Sequence, residues 1–276
     1  MIHNKIDLYK YFNVKKPEGA NGVLETYIHN KCTFTENERI RPAMLVLPGG
    51  GYTHLSDREG EPIAQKYLSF GFNAFVLYYS VSPCAYPTQL IEGAMAMAYI
   101  RLNATEHQTD ASHVCAVGFS AGGHLTGMLA TLYGEDCIKE AIGDNFKYCK
   151  PDAIILSYPV IASLKPYSHN GSFEVLAGAN DELKQKLSLE TRVTKDTSPA
   201  FIWHTFEDEA VPLENSLAMV NAFRKAGVSV EYHVFEKGGH GLALGTQETL
   251  YFNPLVKQWT SLSLTWLNER GFRINE

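Results

Sequence analysis

Short, almost unbroken apolar runs recur along this chain, and stretches with helical spacing separate them. Residues 43–47 (Ala-Met-Leu-Val-Leu), 74–79, 114–118, 152–158 and 199–204 have strand length and no polar alternation, the pattern of strands buried on both faces. Residues 22–29 and 229–235 alternate instead, as half-buried strands do. Helices are predicted over 56–70, 88–103, 121–132, 213–225 and 256–267. The first opens on Ser56-x-x-Glu59, a capping-box spacing, and Gly71 closes it. In the third, Leu125, Met128, Leu129 and Leu132 share one face, with Gly134 as a stop signal. Residues 1–21 read as a polar lead-in and 30–41 as a charged turn. Residues 160–198 lack a period and read as an excursion over the top of a sheet, with short helices such as 181–187. The alternation of strand and helix predicts an α/β fold. Its central sheet is mostly parallel with helices on both faces, and residues 1–276 form a single domain.

The chemistry concentrates where a predicted strand meets a helix, at Gly118-Phe119-Ser120-Ala121-Gly122. G-x-S-x-G between a strand and a helix is the nucleophile elbow, whose small flanks let the chain turn sharply and push the serine outward. A serine hydroxyl needs a base, and the base needs an orienting acid. Those partners are expected in loops after later strands. Glu207, Asp208 and Glu209 follow the strand ending near His204, and the D-x-x-V-P pattern selects Asp208. His240 follows the last strand, with glycines on both sides. The Gly49-Gly50-Gly51 run after 43–47 offers unhindered backbone donors for an oxyanion, and Ala121 offers the N–H after the nucleophile. His124, one helical turn beyond Ser120, reads as structural, whereas His54, His169 and His204 are candidates to line a cleft.

Composition narrows the partners. The 276 residues are 45% hydrophobic with a net charge of -6, enough for a sizeable core and without a basic block for nucleic acid. No zinc-ligand spacing, P-loop or transmembrane run occurs, so no metal, no cofactor and no membrane partner is expected. The five cysteines show no C-x-x-C pair and read as reduced thiols. The polar N-terminus has no signal-like apolar segment, and a cytoplasmic location is expected. Self-association into a homo-oligomer stays open.

Pro48-Gly-Gly-Gly-Tyr52, Gly118-Phe-Ser-Ala-Gly-Gly-His124, Asp208-Glu-Ala-Val-Pro212 and Gly238-Gly-His-Gly241 together resemble the α/β-hydrolase serine esterases. More narrowly, the chain is similar to the bacterial acetyl-xylan esterase and feruloyl esterase-like group over about residues 40–270. The resemblance implies Ser120 as nucleophile, His240 as base, Asp208 as acid, and an oxyanion hole of Gly50, Gly51 and Ala121. Pro48 stands where hormone-sensitive-lipase-like esterases begin their loop with His, which leaves the donor among the three glycines open. The expected substrate is a short acyl ester, acetyl on a sugar or xylo-oligosaccharide, with Tyr52 and Tyr158 as candidate sugar-binding rings, and Tyr86 and Trp203 behind them. Two other readings accompany it: a peptidase of the prolyl-oligopeptidase type, for whose extra propeller the chain has no room, and a non-catalytic binding protein.

Overall fold

A computed structural model describes residues 1–31, 39–163 and 166–274. Parts of the expected 30–41 turn and of the 160–198 excursion fall on 32–38 and 164–165, outside the described residues. The strands are β1 (Ile2–Asp7), β2 (Val23–Ile28), β3 (Arg41–Leu47), β4 (Asn73–Tyr78), β5 (Thr109–Phe119), β6 (Ala153–Ser157), β7 (Ala200–Thr205) and β8 (Val230–Phe235). They form one eight-stranded sheet in the order β1-β2-β4-β3-β5-β6-β7-β8. β2 pairs antiparallel with β1 and with β4, and every later pair is parallel.

The helices are α1 (Leu8–Phe12), α2 (Glu61–Ser69), α3 (Thr88–Leu102), α4 (Ala121–Thr131), α5 (Asp136–Ile142), α6 (Asn170–Ala177), α7 (Asp181–Lys186), α8 (Glu214–Ala226) and α9 (Trp259–Asn268). Successive side chains of a strand point to opposite faces, so β3 sorts the core. Ala43, Leu45 and Leu47 pack with Leu90 and Met97 of α3, Leu125 and Leu129 of α4, and Phe223 of α8. Met44 and Val46 pack on the other face with Ile63 and Tyr67 of α2 and Trp259 and Trp266 of α9. Both faces of the central strands are thereby dry, which is why their sequences read as continuous apolar runs. The mostly parallel sheet with helices on both faces is the one the sequence predicts.

Two expectations are corrected. The lead-in contains the edge strand β1 and the short helix α1, so β2 has neighbours on both sides. β1 carries Ile-His-Asn-Lys-Ile-Asp and is exposed along most of its length, so no burial pattern marks it. The capping box also does not form. Ser56 makes no side-chain cap, residues 57–59 are a 3-10 turn, and α2 begins at Glu61. Glu59 instead turns into the protein.

Candidate active site

The chain turns sharply where β5 ends. Ser120 has φ 51° and ψ -116°, a conformation that L-residues rarely adopt. Its N–H donates to Ser157 O at 3.0 Å, pinning the turn to β6. The turn closes because its flanks lack side chains. A Cβ on Gly118 would lie 2.1 Å from Gly122 O, and one on Gly122 2.1 Å from Leu47 O. Ala121 is the first residue of α4, so its N–H has no acceptor within the helix.

The structure brings Ser120, His240 and Asp208 together from the loops after β5, β8 and β7. His240 Nδ1 lies 2.7 Å from Asp208 Oδ2, and His240 Nε2 lies 2.8 Å from Ser120 Oγ. A carboxylate only accepts, so Nδ1 carries the proton and Nε2 faces the serine O–H as an acceptor. The Asp208 side chain is fully enclosed, while His240 keeps a quarter of its surface. Burial by itself would raise the Asp208 pKa. Hydrogen bonds from His204 and His240, the His240 charge and the Val211 N–H outweigh it, and hold the carboxyl well below its usual range. Ala210 and Val211 N–H both donate to its Oδ1 at 3.0 Å.

Gly50 and Gly51 line a cleft of about 310 Å³ together with Ser120 and His240. Gly49 N–H is already committed to Glu59 Oε2, 2.8 Å away. Among the described residues no acceptor takes the Gly50 or Gly51 N–H. That narrows the glycine donors left open by the sequence to Gly50 and Gly51, with Ala121 across the turn. Thr53, His54, Ser56, Arg58, Glu59, His169 and Gly241 complete the lining. His54 and His169 therefore do face the cleft. Among the described residues, no three His, Cys, Asp or Glu side chains form a group that could hold a metal ion, and no helix is long and apolar enough to cross a membrane.

Tyr52 and Tyr158 are not available to a sugar ring, contrary to the sequence expectation. Both are buried, because each phenol is drawn inward by a polar partner. Tyr52 Oη lies 2.9 Å from His124 Nδ1, and His124 Nε2 lies 2.8 Å from Leu187 O. The carbonyl fixes the proton on Nε2, so Tyr52 O–H donates to Nδ1. His124 is thus a neutral buried strut beneath the elbow, and burial lowers its pKa to about 4. Tyr158 O–H donates to Glu59 Oε1 at 2.6 Å. Trp203 is also buried, in a stack with Trp259. His204 does not line the cleft. It lies beneath Asp208, where its Nε2–H is shared between Asp208 Oδ2 and Val211 O. Tyr251 is 52% exposed, and the guanidinium of Arg58, a cleft-lining residue, lies over its ring 5.0 Å from the centroid. Sequence reasoning missed Tyr251, Arg58 and the inward turn of Glu59. A carboxylate three residues after a serine looks like a cap, and only the tertiary structure shows otherwise.

The chain is similar to several known proteins. The BD-FAE family model matches residues 33–223. Endo-1,4-beta-xylanase B of Butyrivibrio fibrisolvens is 38% identical over 80% of this chain, and the acetylxylan esterase of Xylanibacter ruminicola 28% over 78%. The chain spans only 36% and 44% of the lengths of those two relatives. Among solved structures, the acetyl ester-xyloside bifunctional hydrolase of Caldicellulosiruptor lactoaceticus is 37% identical with a TM-score of 0.80, covering 91% of this chain and 88% of its own. The carboxylesterase Cest-2923 of Lactobacillus plantarum is 28% identical with a TM-score of 0.84, covering both chains completely. The chain belongs to the BD-FAE family and has the α/β-hydrolase fold.

Proposed function

We propose that this chain is a serine carboxylesterase of short acyl esters, with acetyl esters of sugars or xylo-oligosaccharides as its substrates. The observation that carries the reading is the continuous relay from Ser120 Oγ through His240 to Asp208, beside the unpaired donors of Gly50 and Gly51. In this reading Ser120 Oγ attacks the ester carbonyl while His240 Nε2 takes its proton. The carbonyl oxygen becomes an oxyanion held by the Gly50, Gly51 and Ala121 N–H groups. The tetrahedral intermediate collapses, the C–O bond to the alcohol breaks, and His240 returns the proton to the leaving alkoxide. Water, deprotonated by His240, then attacks the acyl-enzyme. The bond to Ser120 Oγ breaks, the acid leaves, and His240 returns its proton to Ser120 Oγ. Asp208 keeps the imidazole in the working tautomer and stabilises its cationic form.

The cleft lining favours a polar alcohol over a long acyl chain. Thr53, His54, Ser56, Arg58 and His169 contribute hydroxyls, imidazoles and a guanidinium, and among the described residues no large aliphatic side chain joins them. The Tyr251 ring gives a face on which a pyranose ring can stack. The names acetylxylan esterase and acetyl ester-xyloside bifunctional hydrolase, carried by two similar proteins, support the same substrate class.

A fluorophosphonate probe and an ester panel test the reading. Wild type should be labelled and Ser120→Ala should not. Rates should fall from p-nitrophenyl acetate to butyrate to octanoate, and acetylated xylo-oligosaccharides should release acetate. Equal labelling of both proteins would remove the serine mechanism, and a preference for octanoate would remove the short-acyl assignment.

A further inference from the structure

Glu59 is a carboxylate only 3% exposed, and its two oxygens serve two different loops. Oε2 accepts the Gly49 N–H in the loop leaving β3. Oε1 accepts the Tyr158 O–H at the end of β6. The Tyr158 oxygen in turn accepts the Ala243 N–H at 3.0 Å, in the loop that carries His240. The Tyr158 ring also packs edge-on against the His240 imidazole, with centroids 4.9 Å apart. One carboxylate thus touches the donor loop directly and reaches the base through a single phenol.

The fit around Gly49 is tight. A Cβ there would lie 2.7 Å from Glu59 Oε2, 2.8 Å from Phe119 O and 3.1 Å from Ser120 Cβ. Gly49 is therefore wedged between the carboxylate and the nucleophile's own turn, and the next two N–H groups inherit that position. Burying a carboxylate is costly, and the hydrogen bonds given above come from two neutral donors, so stabilisation is a weak reason to place it there.

We infer that Glu59 is a positioning residue for the ester hydrolysis proposed above, fixing the Gly50–Gly51 donors and the His240 imidazole relative to Ser120 Oγ. The inference rests on that reading. Oxyanion donors act because they are already in place when charge develops, and a displacement of about 1 Å costs about 100-fold in rate. The Gly49 N–H can only donate, so in Glu59→Gln the amide oxygen keeps it and the NH2 faces Tyr158, whose O–H loses its acceptor. Tyr158→Phe keeps the ring but cuts the link to both Glu59 and Ala243.

The test measures kcat and KM for p-nitrophenyl acetate per active site titrated with fluorophosphonate, alongside the thermal midpoint. Glu59→Gln should lower kcat about 30- to 100-fold with KM changed less than about 3-fold, and Tyr158→Phe should lower kcat about 10-fold. The double variant should lose less than the product of the two single losses, because both changes break the hydrogen bond between residues 59 and 158. A wild-type kcat per titrated site in Glu59→Gln overturns the inference, whatever happens to the midpoint. So does a loss confined to KM, or losses that simply multiply. Should Glu59→Gln not fold, Tyr158→Phe decides: an unchanged kcat overturns the inference, and a pure kcat loss supports it. An inactive, unlabelled wild type would instead sink the esterase reading and this inference with it.

Discussion

His204 donates its Nε2 proton to Asp208 Oδ2 at 3.2 Å, the same oxygen that faces His240 at 2.7 Å. His204 Nδ1 lies 2.8 Å from Ser216 Oγ, which supplies the O–H that fixes this tautomer. Asp208 is thus solvated by protein donors in place of water, and it stays ionised where an ordinary buried carboxyl would not. His204→Phe removes a charge-assisted hydrogen bond and strands the Ser216 hydroxyl. We expect a stability loss of about 2 kcal/mol in urea unfolding. The same variant should lose about 10-fold in kcat/KM for p-nitrophenyl acetate, since a hydrogen bond to a charged group is worth about 1.5–3 kcal/mol. Unchanged values of both would show that His204 merely fills space.

His124 sets a separate acid response. Burial moves its pKa from 6.5 to about 4, so the unfolded chain takes up a proton that the folded protein refuses. Its contribution is complete above pH 6.5 and shrinks as pH falls toward 4, by about 3 kcal/mol in all. Asp208 behaves differently. Its depressed pKa contributes stability that is present above its ordinary 3.8 and is lost only as pH falls further. Urea midpoints across pH 7 to 4 should therefore decline, and His124→Gln should flatten that decline. The slope is reduced and not abolished, because burial also lowers the pKa of His29, His107 and His169. A slope unchanged in His124→Gln would refute the assignment.

The elbow makes a steric prediction. Gly122→Ala would set a methyl group 2.1 Å from Leu47 O and 2.4 Å from Pro48 O, both backbone atoms. Helix α4 and β3 must separate, which also shifts the loop that begins at Pro48. We expect a loss of about 2 kcal/mol or more in unfolding free energy together with a fall in kcat. Gly134→Ala, where a Cβ meets nothing within 4 Å, is the matched control and should be neutral within about 0.5 kcal/mol.

What the sequence reveals follows from how each signal is encoded. The central strands were legible because burial on both faces leaves no room for polar residues, as in 43–47 and 114–118. The meeting of Ser120, His240 and Asp208 was legible because each follows a strand in a loop with its own short pattern. β1 was not, because an exposed edge strand needs no apolar code. Glu59 was misread because local spacing describes a cap equally well, and the Gly49 N–H that claims it lies ten residues back. Tyr52 and Tyr158 were misassigned for the converse reason. An aromatic residue at a strand end has the same letter whether its hydroxyl points to solvent or to a buried acceptor. Tyr251 lies in a stretch with no periodicity, so its position beside Arg58 depends wholly on the fold.

The backbone at Ser120 has a cost of its own. With φ at 51°, the residue occupies a region that glycine would enter freely, and any other side chain raises the energy of the native state there. The hydroxyl is displayed at the expense of a relaxed main chain, and the apolar layers on either side of β5 offset the difference. In the esterase proposed here, thermal robustness and turnover therefore pull in opposite directions at this one position, and the most comfortable residue for the turn is one that has no chemistry to offer.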